Sequence, residues 1–146
     1  KKEAEKEKWA SDEMKKSFLK YFFAVDEKKV PQGIGLKKLD EIVKKEKYAI
    51  KRGPFGGSIT KDMFVSKGFK VYEQKHAIQD NFSIGNYYIT AEKFEELKAF
   101  VVKEGDIIIS CSGTIGKVAI TPKGTEPGII NQALLKISLP VTLTLT

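Results

Sequence analysis

Apolar residues in the first stretch of the chain fall at Ala10, Met14, Phe18, Tyr21 and Phe22. Steps of three and four predict one amphipathic helix over residues 1–23. Its first eight residues, KKEAEKEK, are charged all round, so that end faces solvent or belongs to a longer helical linker. Its last turns, Phe18-Leu19-Lys20-Tyr21-Phe22-Phe23, are too aromatic to stay uncovered. Either they pack on their own domain or they dock a partner helix or a second copy of the chain. Residues 26–35 are polar and contain Pro31, Gly33 and Gly35, which marks a connection. Leu36, Leu39, Ile42 and Val43 then return at helical spacing, and Tyr48-Ala49-Ile50 leads as a strand into a glycine-rich turn over residues 53–58. Thr60 is placed to cap a short helix ending at Gly68, with Met63 and Phe64 inward. Residues 71–78 are expected to be a strand, with Val71 and Glu73 on one face and Tyr72 and Gln74 on the other. Residues 82–89 continue in β-favouring types, and Thr90 caps a helix through residue 100 with Phe94, Leu97 and Val101 inward.

The stretch over residues 105–137, GDIIISCSGTIGKVAITPKGTEPGIINQALLKI, is the most informative. Ile107, Ile108 and Ile109 form an apolar β-branched run of the kind buried on both faces of a sheet. Small residues and two glycines, Ser110-Cys111-Ser112-Gly113-Thr114-Ile115-Gly116, break that run with a tight turn. Val118-Ala119-Ile120 returns, so the segment is a hairpin whose tip carries hydroxyls, backbone N–H groups and Lys117. A second turn at Pro122-Lys123-Gly124 follows. Asn131 and Gln132 stand directly after an apolar pair, and residues 133–137 continue as a strand. The tail over residues 139–146 alternates like another. Helices and short strands mix without a βαβ period, which predicts an α+β fold: a mixed or largely antiparallel sheet with short helices, preceded by one long N-terminal helix. The expected organisation is a helix at 1–25, a connection at 26–35 and one domain at 36–146.

A chain of 146 residues is long enough to bury a core without disulfides. One cysteine, Cys111, points to a reducing, cytoplasmic compartment, and as a residue it fits a small buried position. No apolar run reaches membrane-span length. The net charge of +7 is uneven: residues 1–52 hold 16 Lys/Arg against 10 Asp/Glu, and the remainder 10 against 9. Such an excess suits a polyanion, and it equally suits a solvated helix face.

The candidate chemistry is polar rather than catalytic. Lys51 and Arg52 lead into the turn ending at Ser58, and backbone N–H groups there, followed by a helix starting near Lys61, could hold a phosphate oxygen. Ser112, Thr114 and Lys117 at the hairpin tip suit phosphate or base-edge contact. Asn131 and Gln132 carry carboxamides that pair with adenine N6 and N7, or that hold their own turn by bonding nearby backbone. Gln74, Lys75, His76 and Gln79 form a further polar cluster, with His76 as a surface or contact residue. Glu73-Gln74-Lys75 has the Glu-x-Lys form of a metal-dependent nuclease, with Asp62 upstream. In a chain with 31% charged residues such a triplet arises by chance. Asn86-Tyr87-Tyr88 lacks the two prolines of an adenine methyltransferase Asn-Pro-Pro-Tyr loop. No catalytic residue, metal site or cofactor is expected.

GDIIISCSGTIGKVAI followed by GIINQALLKI resembles the second half of a target recognition domain from the specificity subunit of type I restriction-modification systems. KRGPFGGS at 51–58 and GFKVYEQK at 68–75 match the first half in the same order, so the resemblance covers residues 35–139. It implies that the chain binds double-stranded DNA and reads one half of a split target. The expected contact set is Lys51, Arg52, Ser58, Lys61, Gln74, Lys75, Ser112, Thr114, Lys117 and Gln132. The family also implies partner methyltransferase and restriction subunits that supply catalysis, and helices that pair into a spacer, where residues 1–23 would lie. Two other readings stand beside it: the specificity module of a fused restriction-methyltransferase enzyme, and a protein-interaction domain docking through its aromatic helix.

Overall fold

Eight short strands form two four-stranded sheets in a computed structural model that describes residues 31–33, 35 and 37–140. The helix expected over residues 1–23, most of the connection at 26–35 and the tail at 141–146 lie outside those residues. After a single-turn helix α1 (Leu39–Ile42), the elements are β1 (Ile50–Arg52), β2 (Phe69–Tyr72), α2 (Gln74–Ile78), β3 (Tyr88–Ile89), α3 (Ala91–Glu96), β4 (Val101–Val102), β5 (Ile107–Ser110), β6 (Val118–Ile120), β7 (Gly128–Ile130) and β8 (Leu134–Ile137). The first sheet, β1-β8-β5-β6, is antiparallel throughout. The second, β3-β2-β7-β4, has one parallel pair, β2 with β7, between antiparallel edges. The fold is α+β, with one antiparallel and one mixed sheet.

Strand alternation sorts side chains into three apolar clusters. Tyr72, Val102 and Ile130 of the second sheet meet Ile108, Ala119 and Leu134 of the first, together with Ala77 of α2. Their neighbours Val71 and Ile129 point the other way, where Ile89 and Leu97 join them and Phe69 stacks on Phe94 at 3.9 Å between ring centres. β2 and β7 are thus buried on both faces, as central strands next to a parallel partner should be. Val43, Ala49 and Ile137 cover part of the outer face of the first sheet.

That outer face explains a departure from expectation in β5. Ile108 is wholly buried, but Ile107 and Ile109 are only half-buried, because the edge strand beside them leaves Val118 and Ile120 exposed. The Thr90 cap is present: its Oγ1 accepts the Lys93 N–H at 3.2 Å, a contact that stabilises a helix start by about 1 kcal/mol. α3 ends at Glu96, and a 3-10 turn, Lys98–Phe100, delivers Val101 into β4 rather than onto the helix. The helix expected after Thr60 is only a 3-10 turn, Lys61–Met63, since Phe64 leaves helical geometry to stack on Tyr87 at 4.3 Å.

Residues 71–78 are not one strand. β2 stops at Tyr72, and α2 follows at once, because the His76 side chain turns back on the chain. Its Nδ1 accepts the Glu73 N–H at 2.8 Å, while the His76 N–H donates to the Glu73 carbonyl at 3.0 Å. His76 is therefore fully buried, not a surface residue.

Lys70 is buried too, in a composition where lysine ordinarily signals solvent. Its ammonium donates to the Phe82 carbonyl and to Glu126 Oε1, both at 2.9 Å, and the Tyr88 hydroxyl donates to Glu126 Oε2 at 3.2 Å. The Lys70 hydrogen bond holds the Glu126 carboxyl below its ordinary value of 4.5, against a smaller opposing effect of burial. A folded-state value below the unfolded one means stabilisation that is complete above the ordinary glutamate range and lost as pH falls through it. The thermal midpoint of Glu126→Gln is expected to lie below that of the parent at neutral pH. The two curves should converge on acidification below about pH 4.5. Parallel curves across that range would show the pair contributes nothing.

Candidate nucleic-acid interface

The turn between β7 and β8, residues 131–133, is the point on which the separate polar motifs converge. Asn131 donates its N–H to the Tyr72 carbonyl at the end of β2, at 2.9 Å. Ala133 accepts the Cys111 N–H from the hairpin at 2.7 Å, and next to the turn Leu134 accepts the Gly53 N–H from the segment after β1 at 2.9 Å. Arg52 reaches across with its Nε–H to the Gln132 carbonyl at 3.3 Å. Stretches separated by up to 80 residues in sequence are thereby fixed at one end of the two sheets. Gly53 makes this possible by lacking a side chain: a Cβ there would lie 1.8 Å from the Asn131 carbonyl oxygen.

The hairpin tip is built rigidly. Ser110 Oγ donates to the Thr114 carbonyl at 2.5 Å and accepts the Lys117 N–H at 2.9 Å, while Gly113 and Gly116 supply positive φ of 62° and 84°. Thr114, Ile115 and Lys117 are exposed on it, and Ser112 is half-buried. Gln74, first residue of α2, sits against this tip, its Oε1 3.2 Å from where a Gly113 Cβ would be. That oxygen is buried and has no hydrogen-bond partner among the described residues.

Of the expected contact residues, Arg52, Gln74, Ser112, Thr114, Lys117 and Gln132 therefore lie at the same end of the two sheets. Gln132 is exposed, whereas Asn131 spends its Oδ1 on the Ala133 N–H at 3.0 Å and holds its own turn. Lys61 joins them across a cavity of about 260 Å³ that it lines with Asn131, Gln132, Glu73, Phe64 and Tyr87. The 3-10 turn it opens is too short to act as a helix N-terminus for a phosphate. Three residues are differently engaged. Lys51 alternates away from Arg52, and its ammonium lies over the rings of Tyr48 and Phe100, at 5.3 and 5.1 Å. Ser58 donates its hydroxyl to the Phe55 carbonyl at 2.9 Å. Lys75 has its ammonium 2.8 Å from Glu73 and over the Tyr87 ring at 5.4 Å.

Electrostatics at this end follow from burial. His76 is held below its ordinary pKa of 6.5, chiefly by desolvation. With Nδ1 accepting from Glu73 and Nε2 donating to the Ile84 carbonyl at 2.8 Å, the neutral imidazole is a strut beneath Gln74. Among the described residues, no group of three or more His, Cys, Asp or Glu side chains is placed to hold a metal, and no helix is long and apolar enough to cross a membrane. Sequence reasoning did not single out Tyr87, Phe55 or Ile115. Phe55, 64% exposed under the Arg52 guanidinium, and Ile115, 74% exposed, were detectable as apolar residues inside glycine-rich turns.

Comparison of the coordinates with solved structures identifies the fold. A chain from a study of complex assembly and conformational transition of the type I R-M system superposes with a TM-score of 0.54 at 16% identity, over 96% of this chain and 34% of that one. The HsdS subunit from Thermoanaerobacter tengcongensis superposes with a TM-score of 0.52 at 16% identity, over 97% and 34%. The chain spans about a third of the length of these solved chains. No protein-family model and no curated protein sequence matches it.

Proposed function

We propose that this chain is a target recognition domain of a type I restriction-modification specificity subunit, reading the bases of one half-site in double-stranded DNA. The observation that carries the reading is the convergence of Arg52, Gln74, the hairpin tip and Gln132 on the 131–133 turn, in a fold shared with an HsdS subunit. Arg52, Lys61 and Lys117 are exposed cations and anchor phosphates. Gln132 presents its carboxamide, the group that pairs with adenine N6 and N7 in the major groove, and Gln74, whose Oε1 is buried against the hairpin tip, turns outward to do the same. Methylation and cleavage belong to partner subunits in the cytoplasm, and this chain is a binding component rather than an enzyme.

Titration of labelled duplex DNA at several salt concentrations separates the two kinds of contact. Alanine at Arg52, Lys61 or Lys117 should weaken binding to all sequences alike and lower the salt slope by about 1 per residue. Alanine at Gln74 or Gln132 should cost about 1–3 kcal/mol on the preferred sequence only, leaving the slope unchanged. A uniform loss at all five positions would reduce the reading to non-specific polyanion binding.

A further inference from the structure

Most of the positive charge of the described residues sits in one short segment, of which Arg52 reaches the 131–133 turn. Residues 37–52 hold seven Lys/Arg against three Asp/Glu, whereas residues 53–146 hold 10 against 9. Lys47 and Lys51 of that segment gather with Lys98, from the 3-10 turn before β4, around the exposed ring of Tyr48. The Lys47 ammonium lies 4.9 Å from the ring centre and the Lys51 ammonium 5.3 Å. The Tyr48 hydroxyl is held below its ordinary value of 10.0, chiefly by the Lys47 ammonium beside it. A smaller desolvation opposes this, and the charges of Lys51 and Lys98 reinforce it. Among the described residues none of these three ammoniums forms an ion pair, although Glu46 stands in the same turn. Like charges gathered on one surface repel, and an anion shared among them relieves the repulsion. The backbone gives a second sign. Tyr48 has a φ of 70°, the left-handed region that a bulky side chain ordinarily avoids. Its turn is pinned to the end of β8, where Ser138 accepts the Lys44 N–H at 2.9 Å and donates to the Ala49 carbonyl at 2.7 Å. The Tyr48 ring belongs to none of the three apolar clusters, so packing does not account for a tyrosine at this strained position.

Resting on the DNA-recognition reading above, we infer that Lys47, Tyr48, Lys51 and Lys98 form a second anchor, which holds a backbone phosphate outside the bases that are read. The ammoniums supply charge and the Tyr48 hydroxyl a hydrogen bond, a set of groups that fixes position on a duplex without reading sequence. Tyr48 and Arg52 are four residues apart, no more than about 13 Å along an extended chain. Each strand carries a phosphate every 3.4 Å or so of helix axis, roughly, so this anchor meets the duplex within a few base pairs of the Arg52 contact.

The test uses the full 146-residue chain and the duplex it prefers, with flanking base pairs on both sides. Lys47→Gln combined with Lys98→Gln changes two exposed residues, so folding is kept. Its slope of log affinity against log salt should be shallower by about 2, with the preferred sequence unchanged. Lys45→Gln is the control: that ammonium is directed at the Asp40 carbonyl, and the slope should stay at the parent value. Neutral methylphosphonates placed one at a time in the flanks should weaken binding by the parent at one or two positions beside the motif, and leave the double variant unaffected. Tyr48→Asn should weaken binding while its thermal midpoint stays the same or rises, because asparagine accepts the left-handed region. An unchanged slope in the double variant, an equal fall in Lys45→Gln, an altered motif or indifference to every flanking methylphosphonate overturns the anchor while DNA recognition stands. If the parent binds no DNA, both fall.

Discussion

Alanine at Gly53 is expected to lower stability by about 3 kcal/mol or more and to remove sequence preference from DNA binding. Its Cβ would fall 1.8 Å from the Asn131 carbonyl oxygen, 2.3 Å from the carbonyl carbon and 2.8 Å from the Gln132 nitrogen. All three are backbone atoms, so no side-chain rotation relieves the clash. Either the segment after β1 retreats, breaking the Gly53 to Leu134 hydrogen bond, or the 131–133 turn moves and carries Gln132 with it. Overpacking typically costs about 1–3 kcal/mol, and a buried hydrogen bond broken on one side adds about 1–3. Thermal unfolding checks the first effect, with a midpoint about 10 °C lower for a domain of this size. Gly57→Ala is the control. It lies in the same turn with φ of −78° and nothing within 4 Å, so its midpoint should be unchanged or slightly raised.

Gly128→Ala should be comparably destabilising for a reason remote from the interface. A Cβ at 128 would stand 2.2 Å from the Lys70 carbonyl oxygen and 2.9 Å from Tyr72 Cε2, at the first rung of the parallel β2–β7 pair. Relieving it separates the two strands that carry Tyr72, Val71, Ile129 and Ile130, all at most 2% exposed. About 3 kcal/mol or more is again the expected loss, read from denaturant unfolding. The two variants part company when cooled to where both are folded. Gly128→Ala should then keep the preference of the parent, whereas Gly53→Ala should not. Equal binding by both would mean that the 131–133 turn does not organise recognition.

How much of this was legible in the sequence depended on how local the cause was. The hairpin from Ile107 to Ile120, the strands around Asn131 and Gln132, and the Thr90 cap each follow from a few adjacent residues, and each is present. The α2 helix was missed because Val71-Tyr72-Glu73-Gln74 alternates at period two. What stops the strand is a buried imidazole two residues further on. The burial of Lys70 has no local signal, because its partner, Glu126, lies 56 positions away. The same non-locality hid the cavity, whose walls come from four separate stretches of chain. Candidate residues were recognisable by type. Which of them point outward was not, since Lys51 and Arg52 differ only by strand alternation, and Ser58 and Lys75 are taken up by neighbours that folding supplies.

Selection from a pool of random duplex DNA, at low and at moderate salt, followed by sequencing of the retained fraction, tests DNA recognition most directly. The expected result is a short motif of about three to five base pairs, still enriched when salt is raised, as contacts to base edges rather than phosphates require. Retention that vanishes with salt and enriches no motif would contradict it.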